Sequence, residues 1–198
     1  VGRITVDDVM DEVREQAERD YQLASGLSQD VESHDNVFRQ TTARLPWLLI
    51  GMLGGIGNSM ILGNFDATFA AHPEMALYIP LIGGTGGNVG TQSSAIIVQG
   101  LANSSLDAKD TLKQVAKEAV VASINATIIS LLVYLYNFIR FGSAATVTYS
   151  VSISLFAVVM FASIFGTLVP MTLEKLKVDP AIATGPFISI TNDIIGMM

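Results

Sequence analysis

The sequence predicts an all-α integral membrane protein with five transmembrane helices. Half of the 198 residues are hydrophobic and 15% are charged, whereas about a quarter of the residues in soluble domains are charged. The apolar residues also form long blocks without Asp, Glu, Lys or Arg. With the stretch from Pro180 onward, whose one ionisable residue is Asp193, they give five segments that meet or approach the roughly 20 residues that a membrane-spanning helix needs. A soluble enzyme is therefore not expected, and without cysteine there are no disulfides or thiolate ligands.

The residues before the first apolar block form a polar arm that carries most of the net charge of −7. An acidic arm argues against a nucleic acid partner, because nucleic acid recognition needs a basic surface. Thr5 and Asp8 have the spacing of a capping box, which predicts a helix from there to about Ser25–Gly26. A second polar helix is predicted over Asp30 to Leu45.

The five spans follow in order, as judged from the length of each apolar block and the residues that flank it. They are predicted at Pro46 to Leu62, Met75 to Leu101, Val115 to Ile139, Thr146 to Val169, and from Pro180 onward. Pro170 is expected to end the fourth span, because proline has no N–H to donate to the helix.

The charges of the connecting loops predict the orientation in the membrane. The loops on the side of the N-terminus carry most of the bases: Arg39, Arg44, Lys109, Lys113, Lys117, Lys175 and Lys177. The loops on the other side carry Arg140. The positive-inside rule therefore predicts a multi-pass protein of the cell (inner) membrane, with its N-terminus inside and its C-terminus outside. Because the sequence stops at Met198 within an apolar block, we also expect a fragment with a truncated C-terminus.

Asp193 is an ionisable residue deep inside the fifth predicted span. Gly185 and Ser189 precede it at four-residue steps, Gly196 follows three residues later, and Asn192 is adjacent, so one helix face is small and polar. Counted from Pro180, Asp193 lies roughly 20 Å into the helix. A lone carboxylate at that depth costs roughly 3 kcal/mol, so it either is protonated or faces water and a cation. A neutral Asp that caps a backbone group is the structural alternative.

The second span is unusually rich in glycine and in polar side chains. Its glycines form two small-xxx-small pairs, which favour close packing of helices: Gly83 with Gly87, and Gly86 with Gly90. The polar side chains among them are candidates to line a water-filled path: Thr85, Asn88, Thr91 and Gln92. Packing and a path are compatible, and both interpretations stay open.

Glu118 is a further candidate, at the start of the third span. Lys113 and Lys117 are close in sequence, so an interfacial salt bridge is as reasonable as a functional role. The two histidines, His34 and His72, lie far apart in polar segments without a third ligand, so a zinc site is not expected.

The two membrane motifs resemble the membrane domain of the MgtE family of magnesium channels and transporters. The first is the run from Pro80 to Gln92 with its Gly-Thr-Gly-Gly-Asn core. The second comprises Asp179-Pro180, Pro186 and Asp193-x-x-Gly196. The resemblance implies three parts: residues 1–25 as the end of a cytoplasmic CBS-type domain, 26–45 as a plug-like connecting helix, and 46–198 as the transmembrane pore domain. The segment Gly2 to Asp8 carries the CBS-like part of the resemblance.

The resemblance also implies a function and a site. It implies a C2 homodimer whose ion path runs along the two-fold axis between spans two and five. Mg²⁺ is expected at Asp193 of both chains, with the backbone carbonyl of Ser189 one turn earlier. Gly185 departs from a family member that has Asn there and offers no side chain.

Three functions are compatible with these residues. A channel for hydrated Mg²⁺ is the first hypothesis, and an exchanger that couples Mg²⁺ to Na⁺ or H⁺ is the second. A membrane-anchored sensor of divalent cations without transport is a hypothesis of another class. Asp193 argues against the sensor, because a membrane anchor does not need a deep carboxylate.

Overall fold

A computed structural model shows an all-helical chain, as the sequence predicts. It describes residues 4–28, 31–103, 105–142, 146–183 and 185–196. The α-helices in these ranges are α1 (Val6–Ala24), α2 (Val37–Gly63), α3 (Asp66–Ala71), α4 (Ile79–Ala102), α5 (Thr111–Phe141), α6 (Thr146–Lys175) and α7 (Pro186–Gly196). Two predicted segments begin at Gly2 and Asp30, and the predicted truncated end is at Met198. These three residues lie outside the described residues.

The helix α1 begins and ends where the sequence predicts. The Asp8 amide donates a hydrogen bond to Thr5 Oγ1 at 3.2 Å, and the Thr5 amide donates one to the Asp8 carboxylate at 2.8 Å. These two bonds form the predicted capping box. After Ala24 the chain turns at Gly26, whose φ of +80° is a left-handed conformation that glycine adopts without steric cost.

The sequence predicts helix boundaries at Pro46 and Pro170, but both prolines lie inside helices. The predicted polar helix begins at Val37 rather than near Asp30, because Asn36 caps the helix there, and it continues into the first span as one helix of 27 residues, α2. The helix α6 continues past Pro170 to Lys175. Proline removes one backbone donor and presses its ring against the carbonyl one turn earlier, while the flanking turns keep their own bonds. Pro170 is buried in the bundle, where packing by neighbouring helices supports a helix across a proline.

The second and third predicted spans correspond to the helices α4 and α5, whose first residues are shifted by about one turn. The helix α4 begins at Ile79 rather than at Met75, because residues before it form a 3₁₀ turn. The helix α5 begins at Thr111 rather than at Val115. The first turn of a helix often has 3₁₀ rather than α geometry, and the hydrophobicity of the sequence does not predict which of the two it has.

The fifth predicted span does not run as one helix from Pro180. A 3₁₀ turn covers Pro180–Ala183, and α7 begins at Pro186, after Gly185 with a φ of +64°. A positive φ ends regular α geometry, so the two pieces cannot form one continuous helix. Asp193 therefore lies roughly 10 Å into α7 at 1.5 Å per residue, and the predicted depth of roughly 20 Å was wrong.

The helix α6 forms the centre of the described bundle. It packs against α4 and α5, and α7 packs against α4 and α2. Ala126, Leu155 and Val159 are buried in the contact between α5 and α6, with Ile82 and Val89 of α4 beside them. Many large apolar side chains of α2 and α5 are exposed on the protomer, which suits a surface that faces lipid.

Among the described helices, α2, α5 and α6 are long and apolar enough to cross a membrane. The glycine-rich α4 and the 11-residue α7, which correspond to the second and fifth predicted spans, are not among these three. These three helices are candidate membrane spans by their length and composition. The number of five spans, their orientation and the dimer stay predictions.

Candidate cation site

Asp193 lies on α7 against a glycine of α4. A Cβ on Gly87 would lie 3.5 Å from Ser189 Oγ and 3.9 Å from Asp193 Oδ1. Ser189 and Asp193 are one turn apart on α7, so they form a row of two oxygen-bearing side chains that passes over Gly87. These are ordinary van der Waals distances, so both side chains lie within contact distance of α4 at this position.

A second row of α7 side chains, Ile188 and Asn192, meets the next glycine of α4. A Cβ on Gly90 would lie 2.0 Å from Asn192 Nδ2 and 2.7 Å from Ile188 Cγ2, so no other residue fits without displacement. Asn192 is 1% exposed. Its Nδ2 donates a hydrogen bond to the Gly86 carbonyl oxygen at 3.2 Å. The structure thus places this predicted path residue in the contact between α4 and α7.

The glycines of α4 also permit contact with α6. A Cβ on Gly166 of α6 would lie 2.4 Å from the carbonyl oxygen of Gly90, and one on Gly86 would lie 2.7 Å from Val158 Cγ1. Helix backbones approach this closely only at glycine. The packing interpretation of the glycine pairs is therefore supported, and it coexists with a polar face on the same helix.

The Asp193 carboxylate is half-buried. The ion pairs of the described residues do not include it. Within the described part of one protomer, no group of three or more His, Asp or Glu side chains is arranged to hold a metal ion. Among the described residues, the chain therefore offers a single carboxylate for a cation at this place, with the Ser189 hydroxyl one turn away, and any further ligands have to be water, backbone oxygens or another chain.

The other predicted residues of the fifth span differ in their surroundings. Ser189 lies inside α7, where its carbonyl keeps a second lone pair beyond its helical hydrogen bond. Gly185 packs on the end of α1, because a Cβ there would lie 2.3 Å from the Ala24 carbonyl oxygen. Gly196 faces the bundle, where a Cβ would lie 3.6 Å from Ile82 Cγ2.

The polar candidates of α4 lie partly on an open face of the protomer. Asn88 and Gln92, one turn apart, are both exposed, while Thr85 and Thr91 are half-buried. Thr91 follows Gly87 by one turn, so it lies next to the row of Ser189 and Asp193 along the same side of α4. Asn88 and Gln92 therefore form a polar strip on the side of α4 next to Asp193. The other described residues leave this strip exposed.

Glu118 lies in a different part of the bundle. Its carboxylate accepts a hydrogen bond from Ser93 Oγ at 2.6 Å, and Ser93 Oγ lies 3.3 Å from Ser163 Oγ. No ion pair joins Glu118 to Lys113 or Lys117 in the described residues. On α4, Ser93 and Gly87 point in directions roughly 120° apart, so Glu118 and Asp193 belong to different faces.

Three residues of the helix contacts were not predicted from the sequence: Ser93, Ser163 and Gly166. All three are buried and occupy contacts between α4, α5 and α6. A signal for them was present, because small and hydroxyl-bearing residues in apolar spans are typical of helix–helix contacts.

Comparison with known proteins places this chain in a family. Residues 79–198 match the family profile of MgtE, described as a divalent cation transporter. Three proteins named magnesium transporter MgtE are similar to this chain over its whole length. Those from Bacillus subtilis, Thermus thermophilus and Enterococcus faecalis are 31%, 32% and 30% identical to it. The chain spans 44%, 44% and 43% of their lengths. The resemblance seen in the sequence is thus confirmed: the chain belongs to the MgtE family of divalent cation transporters and is a multi-pass protein of the cell membrane.

Proposed function

We propose that the chain forms a magnesium-selective channel that moves hydrated Mg²⁺ across the membrane. The observation that carries the proposal is the Asp193 carboxylate, which is half-buried on α7 against Gly87 without a cationic side chain paired to it in the described residues. An unpaired carboxylate in a membrane helix is costly unless water or a cation compensates its charge. A site for a divalent cation provides that compensation.

The chemistry of Mg²⁺ fits a site with few protein ligands. Mg²⁺ prefers six oxygens in octahedral geometry at about 2.0–2.1 Å and gives up its waters reluctantly. Asp193 and the Ser189 carbonyl would accept hydrogen bonds from coordinated waters, so the ion need not lose its hydration shell. Weak contacts of this kind attract the ion and also release it, as conduction requires.

The site of one protomer is half of the proposed path. Asp193 and the polar strip of Asn88 and Gln92 border an open surface, so a second wall is needed to enclose an ion. A C2 homodimer would bring two Asp193 carboxylates to the axis, with α4 and α7 of each chain as walls. Thr85 and Thr91 are further candidates for the lining, whereas Asn192 belongs to the helix contact.

The polar arm would lie on the cytoplasmic side. Residues 1–25 correspond to the end of the CBS-type domain and 26–45 to the connecting segment, which continues into the first span within α2. This proposal gives the N-terminus inside and the C-terminus outside, in accordance with the basic loops.

An exchanger coupled to Na⁺ or H⁺ is the second candidate. Glu118 supports it, because a second carboxylate inside the bundle, hydrogen-bonded to Ser93, offers a place for a coupling ion that is separate from Asp193. A channel and an exchanger differ in whether flux depends on a gradient of the second ion.

The experiment is Mg²⁺ flux into liposomes that contain the full chain, with and without Na⁺ and pH gradients. We expect Mg²⁺ current without a counter-ion gradient and its loss in Asp193→Ala. Flux that requires a Na⁺ or H⁺ gradient would identify the exchanger. Wild-type flux in a well-folded Asp193→Ala protein would show that the ion passes elsewhere, and Asn88 and Glu118 would be the next residues to change.

A further inference from the structure

We infer that Asn192 is a positioning residue that holds the Asp193 carboxylate in place on α4, and that it thereby sets the affinity and selectivity of the cation site. This inference rests on the proposed function of Asp193. It assigns Asn192 a role inside the protein rather than on the wall of the path.

The geometry ties Asn192 to α4 in two ways. Its Nδ2 donates to the Gly86 carbonyl oxygen at 3.2 Å. The same nitrogen also occupies the place of a side chain on Gly90, since a Cβ there would lie 2.0 Å away. The acceptor of this bond is a backbone oxygen, so it cannot move aside as a side chain can. Together with the close-fitting notch at Gly86 and Gly90, the bond fixes the position of α7 along its axis and its rotation about that axis.

Asp193 follows Asn192 directly, so the position of one determines the position of the other. Adjacent residues of an α-helix differ by about 100° in direction and 1.5 Å in height. With Asn192 in the notch of Gly86 and Gly90, Asp193 is directed to Gly87, where its Oδ1 lies 3.9 Å from the place of a Cβ. If Asn192 lost its bond, α7 would be free to turn or slide, and the carboxylate would move with it.

A purely structural role of Asn192 would not require an amide at this position. Asn192 Oδ1 has no hydrogen-bond partner among the described residues although it is buried, and a buried acceptor without a partner destabilises the fold. An apolar side chain of the same shape would therefore pack in this place at least as well. The Asn192 amide therefore serves to direct its Nδ2 donor to the Gly86 carbonyl oxygen, and it does not serve to stabilise the bundle.

The test compares two isosteric substitutions of buried asparagines in the full chain, Asn192→Leu and Asn137→Leu. Asn137 on α5 is also fully buried, and its Oδ1 accepts a hydrogen bond from the Tyr78 hydroxyl. The measurements are the melting temperature without metal, the Mg²⁺ concentration at the midpoint of the thermal shift, and the ratio of Mg²⁺ to Ca²⁺ uptake in liposomes. Asp193→Ala is measured alongside.

For Asn192→Leu we expect an unchanged or higher melting temperature, a Mg²⁺ midpoint raised about tenfold, and a lower ratio of Mg²⁺ to Ca²⁺ uptake, because groups that orient a metal ligand affect metal affinity by about this factor. For Asn137→Leu we expect a lower melting temperature, because the buried Tyr78 hydroxyl loses its acceptor, together with an unchanged midpoint and ratio. Asn192→Ala, which leaves space in the notch, should change the midpoint and the ratio in the same direction.

A wild-type midpoint and uptake ratio in folded Asn192→Leu or Asn192→Ala would overturn the inference while the loss of binding in Asp193→Ala still supports the cation site. Retained Mg²⁺ binding in Asp193→Ala would instead refute the proposed site itself. The two failures are therefore distinguishable.

Discussion

Gly26 and Pro186 are packed so closely that a Cβ on Gly26 would lie 2.5 Å from Pro186 Cγ. The turn after α1 therefore rests directly on the first residue of α7. Gly185 adds to this contact, because a Cβ there would lie 2.3 Å from the Ala24 carbonyl oxygen. The polar arm and the helix that carries Asp193 are thus joined at two neighbouring points, each of which requires glycine.

Gly26→Ala is expected to destabilise this joint. The new methyl group meets the Pro186 ring, and the φ of +80° is unfavourable for alanine, so we expect a loss of about 2 kcal/mol in the free energy of unfolding. The matched control is Gly55→Ala on α2, where nothing lies within 4 Å of a new Cβ. Thermal unfolding in detergent measures both, and equal melting temperatures would contradict the close packing.

Asp193 variants should separate charge from size at the proposed site. Asp193→Asn keeps the size but offers amide donors, which point the wrong way for waters polarised by Mg²⁺, so Mg²⁺ uptake should be lost or severely weakened. Asp193→Glu keeps the charge on a longer arm and should retain partial uptake with altered selectivity.

Asp193→Asn should remain folded, because removing an unpaired charge does not reduce packing. Ser189→Ala serves as the control and should be mild, since the proposed acceptor at that position is the backbone carbonyl. Uptake of Mg²⁺ and thermal shift are measured on each variant. Asp193→Asn with wild-type uptake would show that a carboxylate is not required.

Gly166→Ala should disrupt the contact between α6 and α4. A Cβ on Gly166 would lie 2.4 Å from the carbonyl oxygen of Gly90, and a backbone atom cannot move aside as a side chain can. We expect a loss of about 1–3 kcal/mol, as for overpacked cores, measured by thermal unfolding. Gly84→Ala on α4 is the control, because its surroundings are open. Similar stability of the two variants would argue against the close approach of α4 and α6.

The start of α1 should be sensitive to acid. The Thr5 amide, and next the Thr5 hydroxyl, donate hydrogen bonds to Asp8 and hold the pKa of its carboxyl below the usual value. A lowered folded-state pKa gives stability that is present above the unfolded pKa and is lost as the pH falls through the folded pKa. The first turn of α1 should therefore fray in acid, below about pH 4.

Hydrogen exchange, corrected for the intrinsic effect of pH on the exchange rate, measures this fraying. Asp8→Asn removes the titrating carboxyl and should show weak protection of the first turn at neutral pH and little further change in acid. Asp7→Asn, which leaves the capping box intact, should behave like the wild type. Equal pH dependence in Asp8→Asn and the wild type would assign the transition to another group.

Some features of this protein follow from the order of its residues alone. The blocks without charge revealed helices that can enter a membrane, because burying an ion in lipid is costly whatever the fold. The capping box of Thr5 and Asp8 was predictable because it is closed within four residues. Asp193 stood out because it is an ionisable residue in an apolar block, and the motif around it pointed to the MgtE family.

Other features were decided by packing between segments far apart in the chain. The continuation of α6 through Pro170 depends on the helices around it, and the left-handed Gly185 before α7 is packed against the Ala24 carbonyl at the end of α1. The sequence placed Asn192 beside Asp193 on one small, polar face but did not show which of them is buried in the contact with α4. That choice depends on the notch of Gly86 and Gly90, which lies about a hundred residues earlier and is formed only when two helices approach closely.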